Sequence, residues 1–246
     1  MAEIQSLARG LKILEILSYA DQVSITELAE RLNVDKASAS RLVQTLAKYG
    51  YAEKDTDTQR YRLGPKIVQV SQRMLSRMPL RDIAKPYLRE LVTATNECAH
   101  LAIPAQGQAL YIEQVESPAT LRVNAEVGHM APLHCTALGK ALLAFGDLPI
   151  PNQLEQYTPR TITDPELLQM HLEQVRRQGY AIDDEEYDPG VRCLAAPVYN
   201  LNGEMIGAIG ISGPSNRVTL EAIPELAAKV TQVAQNLSDH LSFKRS

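Results

Sequence analysis

The sequence has little cysteine and no long apolar run, and both features narrow the class of protein. Its three cysteines, Cys98, Cys135 and Cys193, are odd in number and far apart, so they predict neither a disulfide framework nor a CxxC zinc motif. This usage fits a reducing cytoplasm. No run of about 18 apolar residues is present, so no transmembrane helix is expected. The first residues mix charged and apolar side chains without a small-residue cleavage site, which predicts an amphipathic helix rather than a signal peptide.

Length and charge indicate a globular protein with one unusual segment. The 246 residues, 45% of them hydrophobic and 22% charged, suffice for two modest domains or one large one. Residues 36–81 carry ten Lys or Arg and three Asp or Glu, a net charge of +7 in a chain whose net charge is −4. A basic segment in an acidic protein indicates a surface that binds a polyanion, although a solvated helix face has the same composition.

The first 64 residues predict three helices and a hairpin. An apolar stripe over 7–17 recurs at helical spacing. The stretch "SITELAERL" has the spacing of a capping box and predicts a second helix over about 26–32. A third helix is expected over about 36–49, followed by two short strands around the polar turn 55–59. This is the layout of a winged helix-turn-helix.

Polar side chains cover the N-terminal half of the predicted third helix, where a recognition helix meets base edges and phosphates. They are Lys36, Ser38, Ser40, Arg41 and Gln44. We expect Arg41 to read guanine. On the hairpin, Arg60 and Arg62 are expected to bind phosphates.

The remainder of the chain predicts a linker helix over about 65–77, a second helix over about 80–95 and then an α+β domain. Its strand candidates are "CAHLAIP", "QALYIEQV", "TLRVNA", "YAID", "RCLAAPVYN" and "EMIGAIGIS". An Asn-Gly turn at 202–203 joins the last two as a hairpin. Three further helices are expected over about 136–145, 165–178 and 220–242. Hairpin-paired strands with helices between others favour an antiparallel sheet flanked by helices.

The stretch "PLHCTALGKALLA" places His134 beside Cys135 and raises the question of catalysis. Neighbouring residues of an extended chain point to opposite faces, so these two are badly placed for a nucleophile and its base. The five histidines show no His-x-x-x-His spacing, and a P-loop would need Ser or Thr after Lys140. We therefore expect no catalysis, no metal and no cofactor. We expect Lys140 to be a surface or packing residue rather than a ligand contact.

The same stretch has a second interpretation as the start of a helix. The first backbone N–H groups, at about Ala137 and Leu138, have no acceptor within the helix. Together with the helix dipole, and with small residues that allow close approach, they predict a site for a carboxylate.

Six ordered blocks of the sequence resemble the isocitrate lyase regulator (IclR-type) family of bacterial transcription factors over about residues 6–242. They are "SLARGLKILEIL", "ITELAERLNVDKASASRLVQTLAKYGY", "RYRLG", "PLHCTALGKALLA", "DDEEYDPGVRCLAAPV" and "ISGPSNR". The resemblance implies a winged helix-turn-helix domain (1–64), a linker helix (65–81) and a GAF-like α+β domain (82–246) that binds a small organic acid. It also implies a homodimer or a dimer of dimers.

The resemblance assigns effector contacts by position. It implies that the amides of Ala137 and Leu138 bind the carboxylate, and that Asp183, Cys193 and Ser212 line the site; a small buried thiol is the alternative for Cys193. An aspartate beside a carboxylate favours a hydroxy- or keto-acid, or a protonated aspartate.

Two positions depart from the family pattern. Where the family has Ser-x-Ser-Gly, this chain has Gly210, which either enlarges the site or changes the polarity of the effector. Where the family's recognition helix begins Lys-Ser-Thr, this chain has Lys-Ala-Ser at 36–38, so the operator preference does not carry over.

The sequence as a whole predicts a cytoplasmic regulator that binds a near-palindromic double-stranded operator under the control of an organic-acid effector, with no membrane partner. An enzyme with an accessory DNA-binding arm is one alternative. A pure interaction module, whose first 64 residues bind protein, is another.

Overall fold

The computed structural model describes residues 3–123 and 125–243. The chain divides into two compact units, with the boundary between Met78 and Pro79. This boundary falls inside the segment 65–81 that the sequence predicts as a linker. No helix in the described part of the chain has the length and apolar character needed to span a bilayer.

The first unit is a winged helix-turn-helix, as predicted. Its elements are α1 (Gln5–Ser18), α2 (Ile25–Leu32), α3 (Lys36–Lys48), the strands β1 (Ala52–Lys54) and β2 (Tyr61–Leu63), and α4 (Lys66–Leu75). The two strands pair antiparallel, and Tyr61 also forms a bridge with Val23 ahead of α2. Tyr61 and Val23 are both buried in the core of this unit, so the wing is tied to the helices.

Local side chains set the ends of these helices. Ser24 and Glu27 form the predicted capping box at α2, because each side chain bonds the other residue's backbone N–H. Asn33 ends α2 in the left-handed conformation, and the carboxylate of Asp35 caps α3. Gly50 follows α3 with φ +79°, a conformation that glycine adopts without a steric cost.

The apolar stripe over 7–17 lies on helix α1, as predicted, and is only partly buried. Ile13, Ile16 and Leu17 are buried in the core, whereas Leu7 and Leu11 are exposed. Because α1 contacts the rest of its unit along its C-terminal half, its N-terminal half presents an apolar face to solvent.

The second unit is an α+β domain built on one antiparallel sheet. Its elements are α5 (Pro79–Thr95), β3 (Cys98–Ala105), β4 (Gln108–Val115), β5 (Met130–Pro132), α6 (Ala137–Phe145), α7 (Pro165–Gln178), β6 (Ala181–Asp184), β7 (Val191–Tyr199), β8 (Met205–Pro214) and α8 (Ile223–Phe243). The strand order is β5-β4-β3-β8-β7-β6. The predicted hairpin joins β7 to β8, with Gly203 at φ +76° in its turn. The antiparallel α+β prediction is confirmed.

One predicted strand is wrong and one strand was not predicted. In "TLRVNA", residues 120–123 and 125 form no strand, and Asn124 lies outside the described residues. The Leu121 carbonyl accepts a hydrogen bond from the Arg217 guanidinium at 2.9 Å rather than from a neighbouring strand. The Leu121 side chain is exposed, so it does not contribute to a buried face. The edge of the sheet is formed instead by β5, a strand of three residues.

Candidate DNA-binding and effector-binding sites

The polar residues of α3 form one hydrogen-bonded surface at the N-terminal half of the helix. The Asp35 carboxylate accepts hydrogen bonds from the backbone N–H of Ser38 at 2.8 Å and from its hydroxyl at 2.7 Å. These bonds, chiefly that from the hydroxyl, lower the pKa of Asp35. The Arg41 guanidinium donates to the same hydroxyl at 3.2 Å, and the Gln44 amide donates to Ser40 at 3.0 Å. Ser38 is thus part of the cap.

Arg41 and Gln44 are exposed on this surface, as is Lys36. Within the described residues no carboxylate lies within salt-bridge distance of Arg41 or Lys36. Their positive charges are therefore available to a polyanion.

The two wing arginines differ in their surroundings. Arg60 lies 2.7 Å from the Glu27 carboxylate and donates to the Gln22 carbonyl at 3.3 Å, so it links the wing to the α2 cap. The bonds from Ser24, together with Arg60, lower the pKa of Glu27 to about 2. Arg62 pairs with Glu53 on the neighbouring strand at 3.1 Å and is half-exposed. An exposed pair such as Arg62 and Glu53 contributes little to stability, so breaking it to bind a phosphate has a small energetic cost.

The N-terminus of α6 has the geometry that the sequence predicts. The Thr136 hydroxyl caps the helix by accepting from Gly139 N at 3.1 Å. Within the described chain, the backbone N–H groups of Ala137 and Leu138 have no acceptor, and both residues are buried. Gly139 allows the preceding loop to approach, because a Cβ there would lie 2.5 Å from the Leu133 Cα. Two free amides thus lie at the positive end of the helix dipole.

The side chains assigned to the effector lie in one row across the sheet. Asp183 on β6 is directly opposite Cys193 on β7, and Cys193 is directly opposite Ser212 on β8. Opposite residues of antiparallel strands share a face. Cys193 packs against the same hydrophobic cluster that contains Ala137 and Leu138.

Burial determines the charge of this row. Asp183 is buried, and desolvation raises its pKa to about 7, while the charge of Lys140 acts in the opposite direction. Burial likewise raises the pKa of the Cys193 thiol, which stays protonated. Near neutral pH the carboxyl of Asp183 therefore exists in both charge states, while the thiol and the hydroxyl of the row are neutral.

Gly210 does not enlarge the site, so that alternative is wrong. A Cβ on Gly210 would lie 2.2 Å from the Leu194 carbonyl oxygen and 2.9 Å from the Ala195 Cβ. Strand β7 already occupies the space that a side chain would take. The remaining effect of Gly210 is on polarity.

Lys140 is fully buried, so the surface alternative for this residue is wrong. Its side chain is 0% exposed, and its ammonium group is paired with the Glu186 carboxylate. The His171 Nε2 lies 3.3 Å from the same ammonium. Burial and then this positive charge lower the pKa of His171 to about 4, so the ring is neutral and accepts the hydrogen bond. The Glu186 backbone N–H in turn donates to Asp183 at 2.8 Å, which connects the ion pair to the site.

Sequence reasoning missed Glu186, His171 and a pair on the adjacent strands, His100 and Tyr111. The two rings of this pair meet edge to face at 5.6 Å. The signal for the pair was a histidine and a tyrosine inside two strongly apolar strand patterns. His134, by contrast, has its Nε2 bonded to the Glu155 carbonyl at 2.9 Å, which is a structural contact.

Comparison with known proteins agrees with both domains. The family model "Bacterial transcriptional regulator IclR C-terminal" matches residues 72–239, and "IclR helix-turn-helix domain" matches residues 6–56. The HTH-type transcriptional regulator BhcR of Paracoccus denitrificans is 36% identical over 96% of this chain and 86% of its own. The Thermotoga maritima IclR structure aligns with a TM-score of 0.78 at 29% identity, over 98% of this chain and 100% of that chain.

An IclR homologue from Microbacterium hydrocarbonoxydans, solved with 4-hydroxybenzoate, has the same fold. Its TM-score is 0.81 at 23% identity, over 96% of this chain and 98% of its own.

The chain belongs to the IclR family of bacterial transcriptional regulators. It is a regulator with an N-terminal helix-turn-helix domain that binds DNA and a C-terminal domain that binds a small effector. The relatives are named as transcriptional regulators, not as enzymes.

Proposed function

We propose that this regulator binds a near-palindromic operator as a homodimer or a dimer of dimers, in the cytoplasm, and that an organic acid controls this binding. In this proposal residues 1–64 bind DNA, residues 65–81 link the domains, and residues 82–246 bind the effector and hold the oligomer together. The effector is a hydroxy-, keto- or aromatic acid.

Surface charge supports the DNA contacts. Lys36, Arg41 and Gln44 are exposed on the half of α3 that a recognition helix presents to the major groove. In our proposal Arg41 contacts guanine, Ser40 and Lys36 contact the backbone, and Arg62 binds a phosphate. Ser38 acts by holding Arg41 in place. Arg60 contributes by fixing the wing, and it contacts a phosphate only after partly releasing Glu27.

Exposed apolar residues outside the C-terminal domain support a further contribution to self-association. Ile4 at the N-cap of α1 and Leu7 and Leu11 on the helix lie three and four residues apart, and their side chains are exposed. Val70 and Met74 form a similar exposed pair on α4. Exposed apolar residues grouped on a helix face are typical of an interface. A symmetric dimer presents two α3 helices to half-sites about 34 Å apart, or a multiple of that distance.

The start of α6 is the observation that carries the effector proposal. Two buried backbone amides without an acceptor, at Ala137 and Leu138, lie beside the row formed by Asp183, Cys193 and Ser212. A carboxylate satisfies both amides and gains from the helix dipole. In this proposal Asp183 is protonated in the complex and donates a hydrogen bond to the acid, and Gly210 leaves this part of the site without a hydroxyl.

Calorimetric titration of the full chain with a panel of organic acids tests this proposal. We expect at least one acid to bind, and we expect Ala137→Pro to abolish binding, because proline removes an amide donor at the first helical position, where the helix itself tolerates it. Ala141→Ser, further along the same helix, is the control and should retain binding. Binding restricted to uncharged ligands, or unchanged affinity in Ala137→Pro, would contradict the carboxylate site.

A further inference from the structure

His100 is a buried side chain that lacks the hydrogen bonds its chemistry requires. It lies on β3 and is 0% exposed. Neither Nδ1 nor Nε2 has a hydrogen-bond partner in the part of the chain that the structure describes. Burial, and then the nearby His129, lowers its pKa to about 4, so the ring is neutral. A buried polar group without a partner destabilises a fold, so its presence requires an explanation.

The position of His100 relates it to the effector site. On β3 the side chains of Cys98, His100 and Ala102 point to one face of the sheet. Cys98 pairs with Ser212, which extends the row of effector residues, and Ala102 packs in the cluster that contains α6. His100 thus lies two residues after Cys98 on the same face of the sheet. By standard strand spacing, its Cα is roughly 8 Å from the Cα of Ser212.

The neighbours of His100 make no hydrogen bond with it. Gln114 is directly opposite on β4, and its buried Oε1 also lacks a partner among the described residues. Gly210 is directly opposite on β8 and has no side chain to offer. The Tyr111 ring meets His100 edge to face at 5.6 Å, and the His129 ring meets Tyr111 at 5.5 Å. Burial raises the pKa of Tyr111. Tyr111 belongs to the hydrophobic cluster against which Cys193, a member of the effector row, also packs.

We propose that His100 determines effector specificity by hydrogen-bonding a hydroxyl or carbonyl oxygen that the acid carries away from its carboxylate. This inference depends on the proposed function, since it assumes a carboxylate at the start of α6. A neutral imidazole donates through one nitrogen and accepts through the other, which matches a hydroxyl group. A second carboxylate is disfavoured, because it would be buried beside a neutral imidazole that offers no counter-charge.

Matched pairs of acids test the proposal with the full chain. The probes are 4-hydroxybenzoate against benzoate and 3-hydroxypropionate against propionate, titrated by calorimetry near pH 7.5. We expect the hydroxylated member of at least one pair to bind about tenfold more tightly to the unmodified chain, the size of one net hydrogen bond. In His100→Leu that preference should disappear while the affinity for the plain acid stays within about threefold.

The outcomes separate this inference from the proposed function. Equal binding of both members of each pair to the unmodified chain overturns the role of His100, as does an equal loss for both members in His100→Leu. If no acid binds at all, the proposed function fails. His100→Leu should melt no lower than the unmodified chain, because leucine removes an unpaired polar group. If it does not fold, His100→Met carries the same test.

Discussion

The buried ion pair below the effector site allows a quantitative test of the structure. Lys140 is 0% exposed and Glu186 is 7% exposed, and their charged groups are in contact. Replacing Lys140 by Met keeps most of the volume but removes the positive charge. The Glu186 carboxylate then stays buried, with Oε2 already lacking a partner among the described residues. Losing one partner of such a pair destabilises a protein by about 3–5 kcal/mol.

An independent electrostatic figure agrees with this range. Two unit charges about 4 Å apart interact by about 4 kcal/mol at an effective dielectric constant of about 20. Since a buried pair can be replaced by apolar residues of similar volume at little cost, Lys140→Met combined with Glu186→Leu should recover most of the lost stability.

Urea unfolding followed by circular dichroism measures both effects. Lys229→Met is the control, because the pair that Lys229 forms with Glu225 is largely exposed and contributes about 0.5 kcal/mol or less. The reasoning is refuted if Lys140→Met costs less than about 1 kcal/mol. It is also refuted if the double variant loses the sum of both single losses.

Three further predictions concern charge. Burial raises the pKa of Asp183 from 3.8 to about 7, so the folded state holds a proton that the unfolded state has lost, and stability falls as pH rises through this interval. The unfolding free energy of Asp183→Asn, relative to that of the unmodified chain, should therefore rise by about 2–3 kcal/mol from pH 5 to pH 8. Thermal unfolding measures this difference, and a difference that stays constant with pH would contradict the raised pKa. In DNA-binding titrations across salt concentrations, Arg62→Ala should weaken all sequences alike and flatten the salt slope. Arg41→Ala should instead reduce discrimination at one base pair by about 1–3 kcal/mol, and an equal loss on every sequence would exclude base reading.

Features determined by neighbours in sequence could be predicted. The capping box of Ser24 and Glu27, the start of α6 at Thr136 and the Asn-Gly hairpin each depend on a few adjacent residues, and the structure has all three. The row of Asp183, Cys193 and Ser212 came from family resemblance, and strand register then places these residues side by side.

Features that depend on distant partners could not be predicted. Lys140 meets Glu186 46 positions away, and Arg60 meets Glu27 33 positions away, so no local pattern predicts either pair. The stretch "TLRVNA" has strand composition but no neighbouring strand, and strand formation needs such a partner. Whether an apolar stripe faces a core depends on the tertiary fold. The sequence therefore did not predict that Leu7 and Leu11 would be exposed.

The central claim is that an organic acid bound at the start of α6 controls DNA binding. The most direct measurement is fluorescence anisotropy of the full chain with DNA from the region upstream of its own gene, with and without an acid that calorimetry shows to bind. We predict that the acid changes the DNA dissociation constant in the unmodified chain but not in Ala137→Pro, which still binds the DNA. An unchanged dissociation constant at saturating acid, or an equal change in both proteins, would contradict the account.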